Sequence, residues 1–358
     1  MIPANLFAPE NAALALAVWV ALALGALTVA VLFQVLVLSE LSNRQQRLRR
    51  EFDAVWRPRL ALASVADHPV ARRDAPAAAE QLWFLLLWNR TQRQLRGAAR
   101  ARLNRMLLEF GLERFALSLL QRSDVRARLV ALGTLRNLGD HAHWAAIQPL
   151  VRDPSPFLSF AAAEALVAID PGRAMALLLP LARQRPDWTM QRVATLCLQA
   201  GPEAVTVPLL KELDRSGHLG GNRLTELVRW ADPAQVARWS RTALDTGGDT
   251  RQRQAALQSL GELRDPHDRP RLLQALSDED PDVRLCALQA LRRQATAGDD
   301  EVLVRLLADR SWWVRQEAAN GLVALPGSTR DRMLALIDRV ADRYGRDALQ
   351  RALAERPA

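Results

Sequence analysis

The chain has 358 residues and carries 48 Lys and Arg against 39 Asp and Glu, a formal net charge of +9. Lys211 is the single lysine, which excludes a P-loop, and Cys197 and Cys286 stand alone without CxxC spacing, which excludes a disulfide framework. The arginine surplus suits anionic partners, and an Arg- and Ala-rich composition also follows from a GC-rich coding bias.

Residues 1–10 hold one acidic residue, Glu10, and no basic one. Residues 11–39, NAALALAVWVALALGALTVAVLFQVLVLS, carry no charge and exceed the ~20 residues a bilayer crossing needs. A cleaved signal peptide has a basic start and a shorter apolar core, so a transmembrane helix is expected. Arg44, Arg47, Arg49, Arg50, Arg57 and Arg59 follow it. The positive-inside rule then puts the N-terminus outside and the rest of a single-pass chain on the cytoplasmic side of the inner (cytoplasmic) membrane. Arg44, Arg47, Arg49 and Arg50 also suit anionic lipid headgroups, at about 1 kcal/mol each. Topology signalling alone explains them equally well.

Residues 40–100 read as a charged juxtamembrane helical connector. SNRQQRLRREFDAVW predicts a helix leaving the bilayer and stopping near Arg57-Pro58, because proline breaks helix interiors. HPVARRDAPAAAE is a Pro/Ala loop. In QLWFLLLWN the apolar run Leu82–Trp88 is too short to span a bilayer. It predicts the packed face of a helix paired with LNRMLLEFGL, with membrane-interface contact through Trp83 and Trp88 as the alternative.

Residues 101–358 repeat themselves, and internal repeats govern the fold wherever they occur. Arg253, Arg284 and Arg315 stand 31 apart, as do Ala256, Ala287 and Ala318, and Leu260, Leu291 and Leu322. Asp249 and Asp280 keep the same spacing, with Ser311 in the third copy. Asp124, Arg128, Ala131 and Leu135 fit the pattern further back, residues 153–169 form a weaker copy, and 182–240 is degenerate. Each copy predicts two short helices. Asp280 serves as an N-cap with Pro281 as the first helical residue, where its missing N–H costs nothing. Val283, Ala287, Ala290 and Leu291 then recur at helical spacing. One such hairpin cannot bury its apolar stripe alone, so the copies must stack.

The pattern Asp-x-x-Val-Arg-x-x-Ala-x-x-Ala-Leu resembles the short bacterial HEAT repeat. The resemblance implies an all-α fold, an α-solenoid of stacked helical hairpins, here preceded by one transmembrane helix. It also implies a structural ladder between repeats, made of Asp124, Arg128, Asp249, Arg253, Asp280, Arg284 and Arg315, with the Asp–Arg pairing in doubt at RSWWVR, where the Asp is missing. Proteins of this layout are similar to accessory components of envelope machinery such as polysaccharide synthesis and export. The function expected is therefore a membrane-tethered scaffold for protein partners, above all a membrane protein or membrane-associated complex. Two alternatives stand beside it: nucleic-acid binding on a basic concave face, which the interspersed acids oppose, and a lyase acting on a pigment-bearing protein.

Catalytic signatures are missing: there is no GxSxG, HExxH or GxGxxG. His141 and His143 lie two apart with no further ligand in view. No enzyme, cofactor, metal or small-molecule ligand is expected. For a partner, the outward positions Leu285, Gln289, Arg292 and Arg293 are candidates, together with Trp312 and Trp313. Two adjacent tryptophans cannot both enter the core, so one should be partly exposed; in the competing reading both rings cover the seam between repeats.

Overall fold

The computed structural model describes residues 12–66, 74–215 and 223–355, and every regular element among them is helical. Segments 1–10 and 67–73, the start of the predicted loop, lie outside the described residues. The chain divides into two compact units, Met1–Ser118 and Leu119–Ala358. The sequence boundary at 100 is displaced because α3 (Ala98–Glu109) packs on α1 (Ala12–Val65) and α2 (Gln81–Gln92).

Helix α1 runs for 54 residues and passes straight through Pro58, where the sequence predicts a stop. Packing overrides the local penalty. Phe52, Trp56 and Leu60 are buried on one face, two of them before the proline and one after it. Trp56 meets Phe84 and Phe110 edge-on at 5.0 and 6.0 Å, and Phe84 meets Phe110 at 5.8 Å. A helix that ended at Arg57 would leave Leu60 off the buried face of α1. From α3, Leu103, Met106 and Leu107 are buried, and the Leu103 carbonyl accepts the Trp88 indole N–H at 3.0 Å. Trp88 is thus a core residue and not a membrane-interface one, whereas Trp83 is half-buried beside Phe52. Val18–Glu40 within α1 is long and apolar enough to cross a membrane, and none of it is buried.

After α4 (Leu112–Leu119) the second unit is built from helical hairpins in two rows. One row is α5 (Val125–Leu138), α7 (Pro156–Ile169), α9 (Met190–Ala200), a 3₁₀ segment Arg223–Trp230, α12 (Thr250–Leu263), α14 (Pro281–Arg292), α16 (Trp312–Ala324) and α18 (Arg343–Ala354), each packed on the next. The other row holds α6 (Trp144–Ile147), α8 (Pro171–Gln184), α10 (Pro202–Asp214), α11 (Pro233–Asp245), α13 (Arg269–Ala275), α15 (Asp300–Leu306) and α17 (Arg330–Arg339). The degenerate stretch 182–240 keeps this architecture, with the 3₁₀ segment standing where a full helix stands elsewhere.

Small residues set the spacing between rows and neighbours. Val283, Ala287, Ala290 and Leu291 are buried, as are Val314, Ala318, Leu322 and Leu325. At Gly261 the approach is closest: a Cβ there would lie 2.9 Å from both Cα and Cβ of Ala290. Gly261→Ala must therefore push α12 off α14, and we expect a loss of about 1–3 kcal/mol by overpacking. Gly172→Ala, whose nearest neighbour is a side-chain oxygen at 3.8 Å, serves as the control and should be neutral or mildly stabilising in the same denaturant titration.

Candidate functional site

The repeated acids at the helix starts cap their own helices. The Asp124 carboxylate accepts from the Arg126 amide at 3.0 Å, Asp249 from Arg251 and Gln252 at 3.0 and 2.8 Å, and Asp280 from Asp282 and Val283 at 2.8 and 3.4 Å. These three acids are N-caps, not the partners of the arginine column, and that part of the expected ladder is corrected. An N-cap carboxylate is already aimed at its own first-turn amides.

The arginines grip a different acid, 25 residues further on, at the start of the next repeat. Arg128 pairs with Asp153 at 3.0 Å, Arg253 with Asp278 at 3.1 Å, and Arg284 with Asp309 in a fork of two 2.8 Å bonds. Each of these acids also accepts the backbone N–H two residues on: Ser155, Asp280 and Ser311 at 2.9, 3.0 and 2.8 Å. The other guanidinium arm closes the link. Arg284 donates to the carbonyls of Asp278 and Glu279, and Arg315 donates to those of Asp309 and Arg310. A continuous chain of charge-assisted bonds thus runs from α12 to α16.

Burial pushes the Asp309 carboxyl up, but the Arg284 hydrogen bonds, the Ser311 amide and the charges of Arg284 and Arg315 outweigh it and hold the group below the ordinary carboxylate range. A carboxylate depressed on folding adds stability that is fully present above its unfolded value and lost as pH falls through its folded value. Asp309→Asn should therefore be clearly less stable than the parent at pH 7. The gap should close as both are titrated below about pH 4. A gap that widens in acid would contradict this role.

The Arg–Asp rungs end before Arg315. Its partner position, 25 residues on, is Val340, and the Tyr344 ring lies 5.3 Å from the guanidinium carbon instead. Helix α18 is itself a fourth copy that the sequence reading missed: Asp342, Arg346 and Leu353 continue the 31-residue columns. Asp342 caps α18 through the Gly345 amide, and Arg346 donates to the Val340 carbonyl at 3.0 Å. The Ala column reads Leu349 there, which hid the match.

Further back, Ser159 occupies the arginine position of α7. Arg185, from the end of the same hairpin, takes over by donating to the Val151 and Asp153 carbonyls at 3.2 and 2.9 Å. Trp188 fills the remaining space and donates its indole N–H to Ser159 Oγ at 3.1 Å. A second set of links crosses the other row. Asp268 and Asp299, themselves 31 apart and almost fully buried, receive Arg241 (2.6 and 2.9 Å) and Arg269 respectively. Asp300 pairs with Arg332 at 2.7 Å.

Of the residues considered for partner contact, three are engaged within the array. Leu285 packs half-buried on the core, Arg292 pairs with Glu317, and Arg293 pairs with Glu262. Gln289 is exposed. Both tryptophans are exposed, Trp312 by 43% and Trp313 by 64%, so neither is a core residue. Their rings stand edge-to-face at 4.5 Å because both precede the first inward residue, Val314. The Arg351 guanidinium lies 5.8 Å from the Trp312 ring.

In the first unit Arg44, Arg47, Arg49 and Arg50 are exposed just beyond the apolar stretch. A cleft of about 620 Å³ opens beside them between α1 and α2, lined by Trp56, Arg59, Asp74 and Trp83 among others. The lone thiols are buried, which pushes Cys197 up to about 12 and raises Cys286, so both stay protonated and inert near neutral pH. His141 and His143 share a 3₁₀ turn capped by Asp140, and no group of three potential metal ligands converges among the described residues.

Stacked two-helix units linked by partly buried rungs define an all-α solenoid. Residues 113–199 and 237–323 match the family model for HEAT repeats, which leaves the degenerate stretch between them unmatched. No curated protein matches the chain. Among solved structures, an engineered protein is similar at 16% identity over 79% of this chain and 86% of its own, with a TM-score of 0.32, a likeness too low to carry an argument.

Proposed function

We propose that the protein is a membrane-tethered scaffold: α1 holds it in the inner membrane, and the HEAT array offers its exposed helix surfaces to protein partners on the cytoplasmic side. The observation that carries this reading is the pairing of an unburied apolar stretch, Val18–Glu40, with an array whose conspicuous charges are spent on its own packing. An apolar surface of that size in water is costly, and a bilayer removes the cost. The exposed arginines directly after it favour the N-out, C-in orientation. They also suit lipid headgroups.

Stacked helical repeats present extended surfaces that suit binding, which favours a scaffold over an enzyme. The setting suggested by resemblance is an envelope assembly such as one for polysaccharide synthesis or export. Nucleic acid is disfavoured because arginines that would form a basic stripe are neutralised by Asp153, Asp278, Asp309, Glu262 and Glu317. Nothing in the array favours a pigment-protein lyase.

A photo-cross-linking residue placed at Gln289 tests the scaffold directly. In intact membranes it should yield a discrete adduct with a membrane protein or membrane-associated partner. The same probe at exposed positions across α12, α14 and α16 yielding no adduct would remove the scaffold reading.

A further inference from the structure

At the C-terminal end of the array, exposed aromatic side chains gather where helices begin. Trp313 and Tyr344 stand at the same place in successive repeats, two residues after the N-caps Ser311 and Asp342, and each is 64% exposed. Trp312 lies against Trp313, and Arg315 joins Tyr344 to the same turn of α16. Arg343 and Arg351 are exposed around these rings, with Asp347 as the opposing charge.

Large aromatic rings left in water at three neighbouring positions are costly unless something covers them. Trp and Tyr concentrate at the headgroup level of bilayers, where one edge of the ring is wet and the other apolar. Arginines beside them add attraction to anionic phosphates. From this complementarity of rings and charge we infer that the Trp312–Trp313–Tyr344 edge docks on the anionic lipid surface of the membrane. This gives the array a second attachment, at the end of the sequence opposite the tether. The inference rests on the tethered reading for its setting. Because the arginines supply the lipid preference, docking strengthens with anionic lipid and weakens with salt.

The test uses the full chain in nanodiscs of phosphatidylcholine alone or mixed with phosphatidylglycerol. Hydroxyl-radical oxidation is read residue by residue. In the anionic discs oxidation of Trp312, Trp313 and Tyr344 should fall severalfold relative to the phosphatidylcholine discs, since each arginine adds about 1 kcal/mol of attraction to an anionic surface. Val207, 65% exposed on α10 in the other row of helices, is the internal reference and should not change. Arg343→Glu with Arg351→Glu should restore oxidation, while the Lys replacements should not. Equal oxidation in both discs overturns the inference, as does protection that appears only when a protein partner is added. If the chain enters neither disc, the tether itself fails. Phosphatidylglycerol vesicles added to the soluble chain then read the edge alone, with the same protection supporting it and its absence overturning it.

Discussion

Arg284→Ala should destabilise the array by about 3–5 kcal/mol, because it strips the partner from a largely buried carboxylate. The side chains of Arg284 and Asp309 are only 12% and 9% exposed, and the fork between them ties α14 to the start of α16. The variant also loses the two bonds to the Asp278 and Glu279 carbonyls. Arg284→Lys should recover only part of the loss, since an ammonium cannot make both fork bonds at once. Denaturant unfolding of the detergent-solubilised protein checks the magnitude. Normal stability with loss of partner binding would instead make Arg284 a recognition residue.

Trp188→Ala should cost a similar amount, about 3–5 kcal/mol, for a different reason. The indole is 1% exposed, meets Phe160 edge-on at 5.8 Å, and stands where α7 lacks its arginine. Its carbonyl also receives Arg223 at 2.9 Å, which ties in the 3₁₀ segment. Emptying this site leaves a cavity in the degenerate middle of the array. Because repeats contact only their neighbours, loss of one joint can uncouple the two halves. Hydrogen exchange should show amides of 190–245 opening before those of 250–325. Uniform opening of the whole array would contradict the view that Trp188 is a local joint.

The arginine column and the hairpin pattern were legible because packing repeats with the period of the repeat. The acid partner was not, although Asp278 and Asp309 also stand 31 apart. At the turn before α14 two acids stand two residues apart, and only a three-dimensional contact distinguishes the cap, Asp280, from the rung, Asp278. The joint at Trp188 could not be read at all, since it replaces an absent arginine by two side chains from later in the chain. Pro58 misled in the opposite way: a local helix-breaking rule lost to an aromatic cluster formed by residues far apart in sequence. For the candidate site, the Trp312–Trp313 pair was legible as an anomaly of pattern. That both rings are exposed follows from their place before Val314, which the cap at Ser311 sets.

One fractionation tests most directly whether α1 holds the array at the membrane. The full chain with a cytoplasm-dependent reporter after Ala358 is expressed, membranes are washed at alkaline pH, and the N-terminal sequence of the retained protein is determined. The prediction is a membrane-retained chain that still carries residues 11–39 and an active reporter. A soluble chain that has lost this segment, or a reporter active only on the outer side, would contradict it.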